Sequence, residues 1–457
     1  MKIDFLTSGD SGQSHRLLLL FGGWGSDSTL AHGLQRDDYH LAVAYDYMST
    51  EPTPADFARI ARYGEIIVVA WSYGVAAAAL FLAAHPDLPV SLRIAVNGTH
   101  TPVDAHTGIA PAIFNGTLSG LSEPTLRKFR LRMCGSADAF KQYCAVQQPD
   151  RSLDSLRSEL EYLGGITARD VDTALWDVVY ISDSDMIIPT AAQQCVWQGH
   201  PGVRIVKGSH LPDFRGIIDR DVADKQYLSR RFGRSQSTYD MQAQIQQHVA
   251  ERLDRMVGPF GQSCGDTLEV GCGSGMLTRR LTSYIDSSHL TLWDIAPIPD
   301  GLPGSHRQCD AEAAIRDVAS HSFDIIASAS TVQWFDSPGR FVDECARVLR
   351  PGGVLAIATY GPDTFTSVRP YAVGFAPRYY SVEWWRLHLE PYFDIAELET
   401  ESHILEFESP IQLARHISLT GVNATRPSAA ALRDMIRDDV RRLEYQPVYI
   451  LAIAKSK

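Results

Sequence analysis

The stretch from Ile66 to Ala77, IIVVAWSYGVAA, sets a serine between a β-branched apolar run and a run of small residues. A strand turning sharply into a helix at that serine would expose its hydroxyl and aim the next backbone N–H at a developing oxyanion. Such a turn needs small residues on both sides. Gly74 meets that need, and Ala70, standing where a glycine is usual, adds only a methyl group. Ser72 is therefore the candidate nucleophile for acyl transfer. Its partners follow in the required order. SDSDMIIP offers Asp183 and Asp185 after one apolar run, and KGSHLPDF offers His210 after the next. His210 would take the Ser72 proton and later activate water, while the carboxylate fixes the imidazole tautomer. Asp185, followed by apolar residues and Pro189, is the expected acid, with Asp183 as the alternative. The glycine-rich LLLFGGWGSD follows an early strand, so the backbone N–H groups of Trp24 and Tyr73 would pair as an oxyanion hole. The Trp24 indole suits either the wall of an acyl channel or the core.

A second chemistry begins some two hundred residues later. LEVGCGSGML reads as strand, glycine-rich turn and helix, with Gly271, Gly273 and Gly275 letting a ligand approach the backbone at a helix N-terminus. The spacing is G-x-G-x-G, not the G-x-G-x-x-G of dinucleotide sites. Glu269, two residues before the first glycine, suits a ligand ammonium better than a pyrophosphate. Asp294 ends the next strand and can hold two ribose hydroxyls.

These residues need parallel sheets to bring them together. Apolar strand-length runs occur at RLLLLFGG, HLAVAYDY, EIIVVAWS, LRIAVNGT, DVVYISDSD and VRIVKGSH, with a polar, helical insertion at about 119–172. A second set occurs at DTLEVGCG, HLTLWDIAP, FDIIASAST, GVLAIATYG and VYILAIAKSK. Strands alternating with helices predict parallel sheets whose ligand sites lie at the strands' carboxyl ends. A charged helical stretch separates the sets, which puts a domain boundary near 222 and predicts domains over 1–222 and 223–457.

The bulk numbers agree with two soluble domains. The chain has 457 residues, 45% hydrophobic and 21% charged. The LLLLF run is too short for a membrane span or a leader. Seven scattered cysteines without a C-x-x-C argue against a disulfide framework or a metal site and fit a reducing cytoplasm. The N-x-T sequons at Asn97, Asn115 and Asn423 are then chance matches. A net charge of −12 gives no support to nucleic-acid binding.

The FGGWG loop, the AWSYG elbow and VNGTHTPVDAHTGIAPAIFNGT together resemble the BioG type of pimeloyl-ACP methyl ester esterase, over about residues 1–218. The resemblance implies an α/β-hydrolase fold with a helical lid, hydrolysing the methyl ester of an acyl chain on acyl carrier protein. That carrier is acidic, so the lid cations Arg127, Lys128, Arg130 and Arg132 are candidates to dock it. The second set resembles class I S-adenosylmethionine-dependent methyltransferases, of Rossmann-like fold. By that likeness Glu269 and the Gly271–Gly275 loop hold the methionine part, Asp294 the ribose, and Asp310 with Ala311 the adenine edge. RRFGRSQSTYDMQAQIQ, STVQWFDSP and ARHISLTGVNA narrow the resemblance to the BioC type of malonyl-ACP O-methyltransferase, over about 228–457. Ser418 departs from that pattern, where a Lys is expected. Methylating an ionised carboxylate needs little acid–base help, and Tyr239 or Arg378 would orient it. The two likenesses explain each other. One domain would cap the malonyl carboxylate as a methyl ester, so that the chain can be elongated as a neutral primer, and the other would remove the cap in biotin synthesis.

Overall fold

In the computed structural model, residues 1–6, 16–147, 149–242, 244–261, 265–371, 377–420 and 429–455 are described. The chain divides into two compact units, Met1–Arg215 and Gly216–Lys457, the division falling inside the helix Phe214–Asp221. The first unit carries strands β1 (Lys2–Phe5), β2 (Arg16–Phe21), β3 (His40–Tyr45), β4 (Glu65–Trp71), β5 (Val90–Val96), β6 (Val178–Ser182) and β7 (Val203–Val206). They form one sheet in the order β1-β3-β2-β4-β5-β6-β7. All pairings are parallel except that of β1 with β3. Strands β2, β4 and β5 are buried along their whole length. That burial explains their unbroken apolar runs, because a parallel sheet is covered on both faces. Only β1 is absent from the sequence reading; it is a short, partly polar edge strand.

Because β2, β4, β6 and β7 run the same way, their carboxyl ends share one sheet edge. Phe21, Trp71, Ser182 and Val206 end these strands, and Trp24, Ser72, Asp185 and His210 follow within four residues. Between β5 and β6 the chain leaves the sheet to form four helices, Pro111–Ser119, Glu123–Cys134, Ala137–Val146 and Leu153–Gly165.

The second unit holds β8 (Thr267–Val270), β9 (Leu290–Asp294), β10 (Ser305–Gln308), β11 (Phe323–Ala329), β12 (Leu349–Tyr360), β13 (Phe393–Thr400), β14 (His403–Glu406), β15 (Arg442–Tyr445) and β16 (Pro447–Ala454). Its main sheet has the order β10-β9-β8-β11-β12-β16-β13, and β14 pairs with β15 apart from it. The first five strands are parallel, and β16 is antiparallel to both its neighbours. From β8 the chain winds outward through β9 to β10, then crosses back to β11. A crevice therefore opens at the carboxyl ends of β8 and β11, the switch point where such sheets bind ligands. Alternate strand residues serve two cores. Ile325 and Ala327 meet Val249, Leu253 and Val257 of the helix Gln244–Gly261. Ile326 packs on the other face with Phe341, Cys345 and Val348. Among the described residues no helix is long and apolar enough to cross a membrane.

Candidate active sites

Ser72 sits on the turn between β4 and the helix Tyr73–Ala84 at φ +59° and ψ −128°. A side chain in that region carries a backbone cost of order 1–3 kcal/mol, held by the surrounding fold. Gly74 makes the turn possible, since a Cβ there would lie 2.4 Å from the Phe21 carbonyl oxygen. Ala70 is fully buried in β4, so its methyl is accommodated in the core.

The Ser72 Oγ lies 2.9 Å from Nε2 of His210, and the other ring nitrogen lies 2.8 Å from Asp185 Oδ2. All three side chains are buried. Asp185 is itself fixed. Its Oδ1 accepts from the N–H groups of Ile187 and Ile188, and its Oδ2 accepts from Gln193 Nε2. Asp183 points elsewhere. It is exposed and accepts from the Gly208 N–H and the Ser184 hydroxyl, and the Gly208 bond leads in holding its carboxyl below the usual range. The geometry therefore brings Asp185, not Asp183, to His210.

Three residues to which the sequence gives no part in the site hold this line in place. Trp71 Nε1 donates to the His210 carbonyl at 2.8 Å, and its ring lies against the imidazole. Asn97 Nδ2 donates to the same carbonyl at 2.9 Å and to Ser182 Oγ, while its Oδ1 accepts from the Ser182 N–H. Gln193 supports Asp185. Asn97 adopts φ +46°, a region asparagine tolerates, and is 1% exposed, so this sequon is committed inside the protein. Its one sequence signal is the Asn-Gly pair at a strand end.

Trp24 and Tyr73 flank the nucleophile, and no backbone N–H bond is formed by either among the described residues. Gly23 approaches Ser72 so closely that a Cβ on it would lie 2.9 Å from the serine Cβ. The lid helix Leu153–Gly165 secures this loop. Trp24 Nε1 donates to the Leu156 carbonyl, and the fully buried Glu159 accepts from the N–H groups of Gly25 and Tyr47. Arg151 pairs with Glu159 at 2.6 Å and with Asp46 at 2.5 Å. The Trp24 indole meets Phe129 edge-on and also lines a cleft of about 370 Å³ with Tyr73, Ile109, Phe114, Phe129 and Leu160. It is thus both packed and a wall. Ile113 and Met186, 59% and 62% exposed, add apolar surface to the cleft, and Arg132 lines it too. Arg127 and Lys128 are exposed and Arg130 is half-buried, and none of the four cations forms an ion pair among the described residues. Arg127 instead lies over the Phe140 ring.

In the second unit, Glu269, Gly271, Gly273, Asp294, Asp310 and Ala311 line one cleft. The three loop glycines have φ of +76°, +54° and +88°. At Gly271 a Cβ would lie 2.0 Å from Thr331 Oγ1, so the close approach of loop and strand end requires glycine. Gly275, outside the lining, is crowded by Leu302. Glu269 is wholly buried; burial pushes its carboxyl up to about 7, and its Oε2 has no hydrogen-bond partner. A buried, unpaired carboxylate oxygen is costly unless a ligand cation completes it. Asp294 accepts from the N–H groups of Gly273 and Ala296, both at 2.7 Å, and burial raises its carboxyl against these bonds. Asp310 caps the short helix Ala311–Ala314. This donor set fits S-adenosylmethionine, with an acid for the ammonium, an acid at the end of β9 for the ribose, and a glycine cradle between them.

Arg378 is placed differently from the expectation that it orients the substrate. It is buried, donates to the carbonyls of Asp336 and Asp221, and does not line the cleft. The helix Lys225–Gln242 contains Tyr239, but the Tyr239 side chain lies outside the described residues, as do the Ser418 side chain and Asn423. The six described cysteines are all free.

Comparison with known proteins gives a family for each unit. The family model for pimeloyl-ACP methyl esterase BioG matches residues 2–216, and a methyltransferase domain model matches residues 268–357. A malonyl-[acyl-carrier protein] O-methyltransferase of Bacteroides fragilis is 32% identical over 95% of this chain and 92% of its own length. A protein of the same description from Haemophilus influenzae is 30% identical over 50% of this chain and 94% of its own. The crystal structure of BioG from Haemophilus influenzae is 32% identical, covers 46% of this chain and 94% of that one, and has a TM-score of 0.41. The cofactor of the second unit is S-adenosylmethionine. The chain belongs to the malonyl-[acyl-carrier protein] O-methyltransferase family, as a member whose N-terminal unit is a pimeloyl-ACP methyl esterase domain of the BioG family.

Proposed function

We propose that this one chain both installs and removes a methyl ester on acyl groups carried by acyl carrier protein, as two steps of biotin synthesis. The observation that carries the reading is the coexistence of a hydrogen-bonded Ser72–His210–Asp185 line with a glycine cradle beside Glu269, whose Oε2 is unpaired. Relatives described as malonyl-[acyl-carrier protein] O-methyltransferases and the BioG match supply the substrate class.

In the first unit, Ser72 Oγ attacks the ester carbonyl of a pimeloyl-ACP methyl ester as its proton passes to His210 Nε2. The N–H groups of Trp24 and Tyr73 receive the oxyanion. His210 returns the proton to the departing methoxide, releasing methanol, and then activates the water that frees the pimeloyl group and Ser72. Asp185 holds the imidazole and stabilises its charged form. The apolar cleft takes the acyl chain, and the unpaired Arg127, Lys128, Arg130 and Arg132 face the acidic carrier.

In the second unit, the acceptor is the free carboxylate of malonyl-ACP, already ionised at neutral pH. S-adenosylmethionine supplies an electrophilic methyl group. Glu269 holds its ammonium, Asp294 its ribose, and Asp310 with Ala311 the adenine edge. The unit's own contribution is alignment and exclusion of water by the aromatic wall of Trp334 and Phe335. Six described cysteines, all free, fit the reducing cytoplasm in which such a pathway would run.

The test is a pair of variants assayed on both reactions. Ser72→Ala is expected to abolish ester hydrolysis while methyl transfer persists, and Asp294→Ala to do the reverse. Hydrolysis surviving in Ser72→Ala would refute the esterase assignment.

A further inference from the structure

The cleft of the second unit has more polar apparatus than the donor needs. Glu269, Asp294, Asp310 and Ala311 account for its ammonium, ribose and adenine. A separate polar group gathers at the ends of β11 and β12. Gln246, on the helix Gln244–Gly261, is 4% exposed and lines the cleft, yet its Nε2 makes no hydrogen bond of acceptable geometry. Ser330, the residue after β11, also lines the cleft and is held at φ +55°. Three hydrogen bonds maintain that conformation. Its N–H donates to the Ala358 carbonyl, its carbonyl accepts from Gln333 Nε2 at 2.7 Å, and its hydroxyl lies 2.9 Å from the Tyr360 hydroxyl. Tyr360 ends β12, is buried behind this pair, and interacts with both Ser330 and Gln246. Burial pushes the Tyr360 phenol up to about 12, so it stays protonated at neutral pH. Leu228, Phe232, Ala250 and Trp334, which also line the cleft, are apolar.

We infer that Gln246 and Ser330 bind the carboxylate of the methyl acceptor, with Tyr360 as the positioning residue behind them. This inference rests on the reading of the second unit as a carboxylate methyltransferase and names the residues that make it one. The chemistry of the site supports a carboxylate over an alcohol or amine acceptor. Those must lose a proton, and this group of side chains is neutral and contains no base. A carboxylate arrives ionised and needs only donors, which a side-chain amide and a hydroxyl supply.

The lack of a dedicated cation among the described residues is consistent with the same chemistry. Methyl transfer from a sulfonium to a carboxylate dissipates both charges. A tight cation on the carboxylate would stabilise the ground state more than the transition state and slow the reaction. Among the described residues, Lys225 is the cation in the lining, and both it and Arg378 are engaged elsewhere. Lys225 lines the cleft but pairs with Glu312 at 2.6 Å, Asp310 at 3.4 Å and Asp336 at 3.7 Å. Arg378 is spent on the carbonyls of Asp336 and Asp221. Neutral donors orient the acceptor without that penalty.

The test uses the full chain, with S-adenosylhomocysteine release as the rate, since later ester hydrolysis does not affect it. S-adenosylmethionine affinity is measured separately by calorimetry. Gln246→Leu is expected to raise the KM for malonyl-ACP about ten- to hundredfold, as for a lost charge-assisted hydrogen bond. Gln246→Glu should raise it further by placing a second carboxylate at the site. S-adenosylmethionine affinity should stay within about twofold in both, which also reports that the unit is folded. Tyr360→Phe should raise acceptor KM less than Gln246→Leu, again without loss of donor affinity. An unchanged acceptor KM in the Gln246 variants overturns the inference. So does a fall in donor affinity with acceptor KM constant, which would give Gln246 to the donor's own carboxylate. Failure of the wild-type chain to methylate malonyl-ACP would instead overturn the underlying reading, and the inference with it.

Discussion

Ser72 reacts, in this account, because its neighbours fix one proton path. Asp185 is the neighbour that the structure sets apart from its rival two residues away. Asp185→Asn should lower kcat for ester hydrolysis by about 10⁴, because an amide stabilises the wrong imidazole tautomer. Asp183→Asn should leave the rate near wild type, since the Asp183 carboxylate accepts from Gly208 and Ser184 and not from His210. Steady-state hydrolysis of pimeloyl-ACP methyl ester by the two variants distinguishes them. Glu269 makes a second prediction at this scale. Its carboxyl is pushed up to about 7 by burial, so below that pH it is protonated and offers a ligand ammonium no charge. S-adenosylmethionine affinity should therefore weaken as pH falls from 8 to 6, by about tenfold per unit below 7. Calorimetry across that range should find the dependence abolished in Glu269→Gln. The catalytic types and their order were legible because a nucleophile elbow and a glycine loop impose local spacing. Asn97 and Gln246 were not legible, because each works through partners far away in sequence. Arg378 illustrates the converse. By residue type it could orient a carboxylate, but its guanidinium donates to the carbonyls of Asp336 and Asp221.

At the scale of elements, the lid helix Leu153–Gly165 acts on the oxyanion loop as well as covering the cleft. Glu159 reaches from it to the Gly25 N–H, and its charge is balanced by Arg151, which also holds Asp46. Removing one member strands buried charge. Glu159→Ala should destabilise the first unit by about 3–5 kcal/mol in urea unfolding. In the surviving folded protein, hydrolysis should lose kcat more than KM, because the loop carrying the proposed Trp24 donor is no longer fixed through Gly25. Strand legibility follows burial. The runs buried on both faces, such as β2, β4 and β5, declared themselves by composition. The edge strand β10, SHRQ, is exposed throughout, and β1, β13, β14 and β15 are partly polar. They exist because a neighbour offers a ladder, which no local pattern encodes. The lid likewise begins earlier than the expected start at about 119, with the helix Pro111–Ser119, since the segment around Pro111 reads as loop.

For the whole molecule, two unlike α/β units in one polypeptide explain each other better than either does alone. A methyl ester hides a carboxylate charge, so the acyl chain can be extended as a neutral primer, and its removal restores the charge. The most direct test follows acyl carrier protein by intact mass with the wild-type chain. Malonyl-ACP with S-adenosylmethionine should gain one methyl group, and pimeloyl-ACP methyl ester should lose one in the same preparation. Failure of either mass change, with that unit folded, would contradict the claim that this chain performs both reactions.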